Sequence, residues 1–188
     1  WFKLMTMFFK TAYQFVALGG LMSGLSFYVL SLFYLDPTNL NLVFGYLNTP
    51  ITVFLAIKFF KDYSNEGYLS FSEGMSVGAV SFLLLAIFST GIVWGILESS
   101  SSLFSAIQTA KWAVLEKNKE VIISQVGLAS FEVTQTNLQS ISPWDIALND
   151  GIWKIIPGMF FSIIISIILR KNPNISWTNK HSLQFNPQ

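Results

Sequence analysis

Apolar residues run through this chain in four long blocks, and charged residues mark the block edges. No Asp, Glu, Lys or Arg occurs within residues 11–35, 37–57, 74–97 or 155–169. A membrane-crossing helix needs about 20 mostly apolar residues at about 1.5 Å rise each, and a charge at its centre costs about 2.5–3.5 kcal/mol on insertion scales. The first three blocks meet that length directly. The fourth meets it when Ile152 and Trp153 are added and Lys154 snorkels toward the headgroups. The pattern therefore predicts four spans, at about 11–34, 40–60, 74–97 and 152–169. A signal peptide is the competing reading of the first block, but the block is too long for an h-region and no A-x-A-like site follows it.

Between spans three and four lies an extramembrane segment of about 98–150. Leu103, Phe104, Ile107, Ala110, Val114, Ile122 and Val126 recur at helical spacing, while Lys111, Glu116, Lys117, Lys119 and Glu120 fall mostly off that stripe. This predicts an amphipathic helix lying on the bilayer or on a partner. Residues 127–139 are rich in Thr, Ser and Gln and show no long periodicity. Ser142-Pro143-Trp144-Asp145 then supplies an N-cap, a proline at the first helical position and an acid in the first turn. A short helix is expected from Pro143, breaking near Asp150-Gly151 before the fourth span. Between spans two and three, Asn65-Glu66-Gly67 signals a turn, and Ser70 with Glu73 fits a capping box ahead of an apolar run.

The spans carry their own signals. Gly20 and Gly24, Gly74 and Gly78, and Gly91 and Gly95 each form G-x-x-x-G, the spacing that lets helix backbones approach closely. Asn48, Thr49 and Pro50 lie near the middle of span two. Pro50 removes a backbone donor and predicts a kink, with Asn48 and Thr49 serving the freed carbonyls or another helix, or lining a substrate route. Pro157 reads as a kink or start in span four. Counting charges alone, the span middles contain no ionisable group, which argues against proton coupling.

Composition agrees with the pattern. The chain is 52% hydrophobic and 11% charged, against about 25% charged in an average soluble domain. The predicted fold class is an all-α integral membrane protein of four transmembrane helices with an amphipathic helical outer segment. One membrane domain covers 1–172, and a polar tail covers 173–188. A net charge of +1 offers no footprint for nucleic acid. Lys3, Lys10, Lys58, Lys61, Arg170, Lys171 and Lys180 fall on one side. Lys111, Lys117, Lys119 and Lys154 fall on the other, and the excess places both termini in the cytoplasm. Trp1, Trp94, Trp153 and Trp177 lie near span ends, as an aromatic belt would put them.

Candidate chemistry is sparse. The chain has no Cys and a single His, and no phosphate-loop, G-x-S-x-G or H-E-x-x-H motif. Glu73 and Glu98 on one helix would stand about 37 Å apart, too far to act together. Glu116 with Glu120 reads as a solvated face, and Asp145 with Asp150 as capping. No catalytic residue, metal site or cofactor is assigned. Asn174-Ile175-Ser176 matches a glycosylation acceptor but falls on the cytoplasmic side.

Ile57-Lys58-Phe59-Phe60-Lys61-Asp62, then Gly67-Tyr68-Leu69-Ser70-Phe71 and Gly78, follow an I-x-x-Y-R-D … G-G-Y-I-S-F … G pattern. With Ile156-Pro157-Gly158 and the Ile-rich run to Arg170-Lys171, they make the chain resemble an uncharacterised four-span inner-membrane family, a domain of unknown function common in Bacteroidetes. The resemblance covers about 5–172. It departs at Phe-Lys in place of Tyr-Arg and in a less charged outer segment. It implies a bacterial inner-membrane protein with no established activity, and points to a polyprenyl-phosphate glycosyltransferase as one partner. The residues and the resemblance together suggest a non-enzymatic accessory or assembly subunit that binds other integral membrane proteins. The alternative is a small transporter or lipid-handling protein that uses the kinked span two.

Overall fold

A computed structural model describes residues 2–172, with side chains from residue 6 onward. Trp1, Trp177, the Asn174-Ile175-Ser176 triplet and the tail at 173–188 lie outside the described residues.

Four helices are long and apolar enough to cross a membrane: α1 (Phe2–Phe33), α2 (Thr38–Phe59), α3 (Phe71–Ser99) and α7 (Pro143–Leu169). They form an all-α multi-pass membrane protein. Three shorter helices cap one end of the bundle: α4 (Ser101–Lys117), α5 (Lys119–Val126) and α6 (Leu128–Gln139). The other end carries Lys10, Lys58, Lys61, Arg170 and Lys171 and is called the basic end below. The spans alternate in direction. α3 packs against both α1 and α7, and α2 packs against the same two helices.

Two departures from the sequence reading concern the segment between α3 and α7. The single amphipathic helix is divided at Asn118, whose side-chain amide donates to the Val114 carbonyl at 2.7 Å and closes α4. Residues 128–139, to which the missing periodicity assigned no helix of their own, form α6, entered through Gly127 at φ +86°. α4 docks on the bundle by Ile107, which joins Phe27, Val93, Leu97, Ile146 and Ala147 in one buried cluster. Lys111 ties α4 to the α1–α2 turn, reaching Asp36 and the Thr38 hydroxyl, each at 3.0 Å.

At the basic end, α2 widens into a π-helical turn, Phe60–Ser64, before the chain reverses. The Tyr68 N–H donates to the Asn65 carbonyl at 2.9 Å, and the two residues between, Glu66 and Gly67, have φ of +52° and +80°. This is the signature of a type I′ turn, which prefers Asn-Gly. Leu69 and Lys171 then exchange two backbone hydrogen bonds of 2.9 Å, pinning this loop to the end of α7. Beneath them Val53, Ile57, Phe60, Leu69 and Val77 form an apolar cluster.

Glu66 is an unbranched, non-glycine residue held in the left-handed region, where an L side chain carries strain of about 1–2 kcal/mol. Glu66→Asn keeps the turn and tolerates that backbone, so it is expected to stabilise the protein by about 0.5–1 kcal/mol. A thermal melt in detergent checks this, and a lowered melting temperature would refute it.

Candidate functional site

The cap half of the bundle holds a charged cluster deep inside. Asp150 and Lys154 are four residues apart on α7, so they share a face. Side chains on a helix lean toward its N-terminus. The Lys154 ammonium accordingly turns back and donates to Asp150 Oδ2 at 2.5 Å and to the Asp150 carbonyl at 3.4 Å. Each other span adds a hydroxyl or amide. Asn41 on α2 donates to Asp150 Oδ1 at 2.7 Å, and Ser89 on α3 donates to Asp150 Oδ2 at 2.8 Å. Ser26 on α1 donates to Asn41 Oδ1 at 2.6 Å and so fixes which way the Asn41 amide faces.

The cluster is closed to solvent. Asp150 is 6% exposed and Lys154 is 1% exposed. By helix rise they sit about 10 and 16 Å from the start of α7. The aliphatic stem of Lys154 lies along Gly45, where a Cβ would stand 3.3 Å from its Cε. Toward the cap the cluster is covered by the apolar group around Ile146 and Ala147, and toward the basic end by Val16 and Leu85 with the Phe82 and Val53 cluster.

Three expectations are corrected here. The span interiors do contain ionisable groups. Lys154 does not reach the headgroups, because its ammonium stops at the Asp150 carboxylate inside the bundle. And α7 does not break at Asp150-Gly151, but runs unbroken from Pro143 to Leu169 and is a span from its first turn. The common reason is that two opposite charges four apart neutralise each other, so they do not end a membrane helix as isolated charges would. Gly151 continues the helix because it meets α3 directly, its Cα facing Thr90.

The six paired glycines divide into two groups. A Cβ on Gly20 would stand 3.0 Å from Phe88 Cβ, and one on Gly24 would collide with Ile92, so α1 and α3 approach closely there. Likewise a Cβ on Gly74 would stand 2.6 Å from the Ser166 hydroxyl, and one on Gly78 2.5 Å from the Ser162 hydroxyl. Gly91 and Gly95 face open space on α3. Gly158 against Phe82 makes a close approach that G-x-x-x-G spacing did not single out, and Gly19, which with Ser23 repeats the small-residue spacing on α1, meets Thr52.

Pro50 and Pro157 both lie inside continuous helices. Asn48 donates to the Gly19 carbonyl at 2.8 Å and to the Ser23 hydroxyl at 3.1 Å, joining α2 to α1. The buried Thr49 hydroxyl has no partner among the described residues. Ser70 with Glu73, and Ser142 with Asp145, form complete capping boxes at the starts of α3 and α7. Asp150, unlike Asp145, caps nothing.

Residues 14–171 match a family model described as a protein of unknown function, DUF4199. The chain belongs to the DUF4199 family. Comparison with curated proteins and with solved structures gives no match. Ser26, Asn41, Ser89, Asp150 and Lys154 all fall inside the segment that defines this DUF4199 chain as a family member. The buried cluster thus belongs to the family domain rather than to an appended segment.

Removing one partner of a buried ion pair leaves the other charge unpaired, at a cost of about 3–5 kcal/mol. Lys154→Met alone and Asp150→Asn alone are each expected to destabilise the bundle by about that much. The double variant should recover most of the loss. Thermal unfolding in one detergent checks this, and additive losses in the double variant would contradict it.

Proposed function

We propose that this DUF4199 protein is a non-enzymatic subunit of a bacterial inner-membrane complex, accessory to other integral membrane proteins or needed for their assembly. The observation that carries the reading is the unequal use of its glycines. Gly20, Gly24, Gly74 and Gly78 are consumed by contacts within the bundle, whereas Gly91 and Gly95 leave a small-residue face of α3 open. Small residues four apart are what a second membrane helix needs for close packing. Gly91 also lines a groove between α3 and α7 that is apolar except for Thr90, where Trp94 and Trp144 make edge-to-face contact. The basic end supports an orientation with both termini in the cytoplasm.

A second reading, a small transporter or lipid-handling protein, is favoured by the Asp150–Lys154 cluster, since ionisable groups inside spans commonly mark transport paths. Against it, the cluster is fully partnered and lies between apolar layers, and Asn48 is occupied in holding α1.

The test is gentle extraction of the native protein followed by sizing and mass spectrometry. A defined complex is expected for the wild type. The double variant Gly91→Leu, Gly95→Leu should lose the partners while keeping the melting temperature of the isolated bundle. Isolation of the wild type as a fully functional monomer would overturn the subunit reading. Uptake by wild-type proteoliposomes that is abolished by the double variant Asp150→Asn, Lys154→Met, which should keep the fold, would favour the second. The Cys-free chain also permits clean topology labelling: a cysteine introduced at Ser130 is expected to react only from the periplasmic side, and the reverse would invert the orientation.

A further inference from the structure

We propose that the helical cap holds a binding site for a single-chain amphiphile with an uncharged polar head, entering from the adjoining membrane leaflet. This goes beyond the subunit reading and does not depend on it. The site is an open cleft of about 660 Å³ between α4, α5, α6 and the start of α7. That volume lies within the range of about 300–1,000 Å³ typical of small-molecule sites, which are mostly apolar with a few placed polar groups.

Its lining has that division. Leu115, Ile122, Leu138 and Ile141 make an apolar floor suited to one hydrocarbon chain. The charged groups at the rim are already engaged. The Lys111 ammonium is held by Asp36 and Thr38, and Asp145 Oδ2 accepts from the Ser142 N–H at 2.8 Å and the Ser142 hydroxyl at 2.6 Å. The Thr134 and Ser140 hydroxyls donate to backbone carbonyls of α6 itself. What remains is neutral. Asn118 spends one of its two amide N–H groups on Val114 and keeps its Oδ1 acceptor, and no hydrogen bond engages the Asn137 side chain among the described residues. One acceptor and one complete amide match a hydroxyl or amide head and give a carboxylate or phosphate no unpaired cation.

Position supplies the source of the ligand. α4 starts at Ser101, directly after α3 ends, and Lys111 holds α4 against the α1–α2 turn, so the cavity sits where the spans leave the bilayer. The cap also exposes Val121, Val126, Leu128 and Val133. Apolar side chains on helices at this level belong against the headgroup–acyl boundary rather than in open water. An amphiphile reaches the cavity from that boundary without crossing water.

The experiment uses the full chain in phosphatidylcholine nanodiscs with a diazirine-bearing monoacylglycerol as probe and peptide mapping as readout. Labelling is expected within residues 111–141, displaced by excess plain monoacylglycerol and not by the matching fatty acid. Leu115→Trp and Leu138→Trp fill the cavity and should each cut cap labelling about tenfold, while Ile87→Trp on the exposed face of α3 should leave it unchanged. Asn137→Leu, at an exposed position, should weaken competition by plain monoacylglycerol about tenfold, the equivalent of one lost hydrogen bond. Equal labelling of the cap and of α3, labelling indifferent to both tryptophan variants, or equal competition by the fatty acid would each overturn the proposal. So would a partner protein's helix, rather than lipid, recovered in the cavity by cross-linking from Asn137.

Discussion

An ammonium and a carboxylate placed inside an apolar span have to find each other, and the rest of this bundle is arranged around that requirement. Alone, either charge would resist burial by several kcal/mol. Set four residues apart on α7, they enter the bilayer as a pair without net charge. The pair still has unfilled hydrogen-bonding capacity on the carboxylate, and Asn41 and Ser89 fill it from α2 and α3. Sliding either helix by one turn moves its donor about 5.4 Å away. The cluster therefore sets the register of two helices against a third, and through Ser26 it also engages α1. Stability alone does not call for the pair, because buried ion pairs gain little over well-packed hydrocarbon. What hydrocarbon lacks is the directionality that makes one register differ from its neighbours.

The other half of the bundle solves the same problem by shape. α3 and α7 run antiparallel, and their small residues meet in order: Gly74 with Ser166, Gly78 with Ser162, and Phe82 with Gly158. Each contact brings the helices close enough that an added methyl would collide. Between lipid-exposed helices there is no hydrophobic driving force of the kind found in water, so packing of this sort and buried hydrogen bonds supply the association energy. The division is spatial. Directional polar contacts occupy the cap half, and close packing around a dry apolar cluster occupies the half nearer the basic end. The Leu69–Lys171 backbone pairing closes that second half and joins the loop between α2 and α3 to the final span.

Much of this was legible in the order of residues. Charge-free blocks locate α1, α2 and α3, because a charge usually does end a span. The same rule misplaces the start of α7, because it treats Asp150 and Lys154 as separate charges. Their spacing of four and opposite sign was the available signal that they cancel. Ser26, Asn41 and Ser89 carried no such signal, since lone polar residues in a span are common and only the fold reveals that three of them converge. The glycine motifs show the limit from the other side. Gly74 with Gly78 and Gly91 with Gly95 are identical patterns on one helix, yet one pair faces α7 and the other faces outward. Spacing states that two small residues share a face, and it is silent on what that face meets. Gly158, Ser162 and Ser166 had the same period with serine in place of glycine, and they supply the surface that Gly74 and Gly78 require. α6 was missed because its Thr, Ser and Gln side chains bury little, with Phe131 as its one buried residue.

The enclosure of the charged pair bears on where the chain meets other molecules. To exchange an ion or proton with either side, Asp150 and Lys154 would have to separate, and one of the two covering layers would have to open. The layer toward the cap includes Ile107 of α4, held in place by the tie between Lys111 and Asp36. The layer toward the basic end is the apolar cluster on which the packing of α2, α3 and α7 rests. The cap-side layer is built mainly by the spans themselves, from Phe27 of α1, Val93 and Leu97 of α3 and Ile146 and Ala147 of α7, so opening either side means parting the bundle. The charged pair is thus sealed by the packing of the spans, while the cap cleft and the outward-facing glycines of α3 lie outside it, so a ligand in the cap and a helix on α3 would act on separable parts of the same fold.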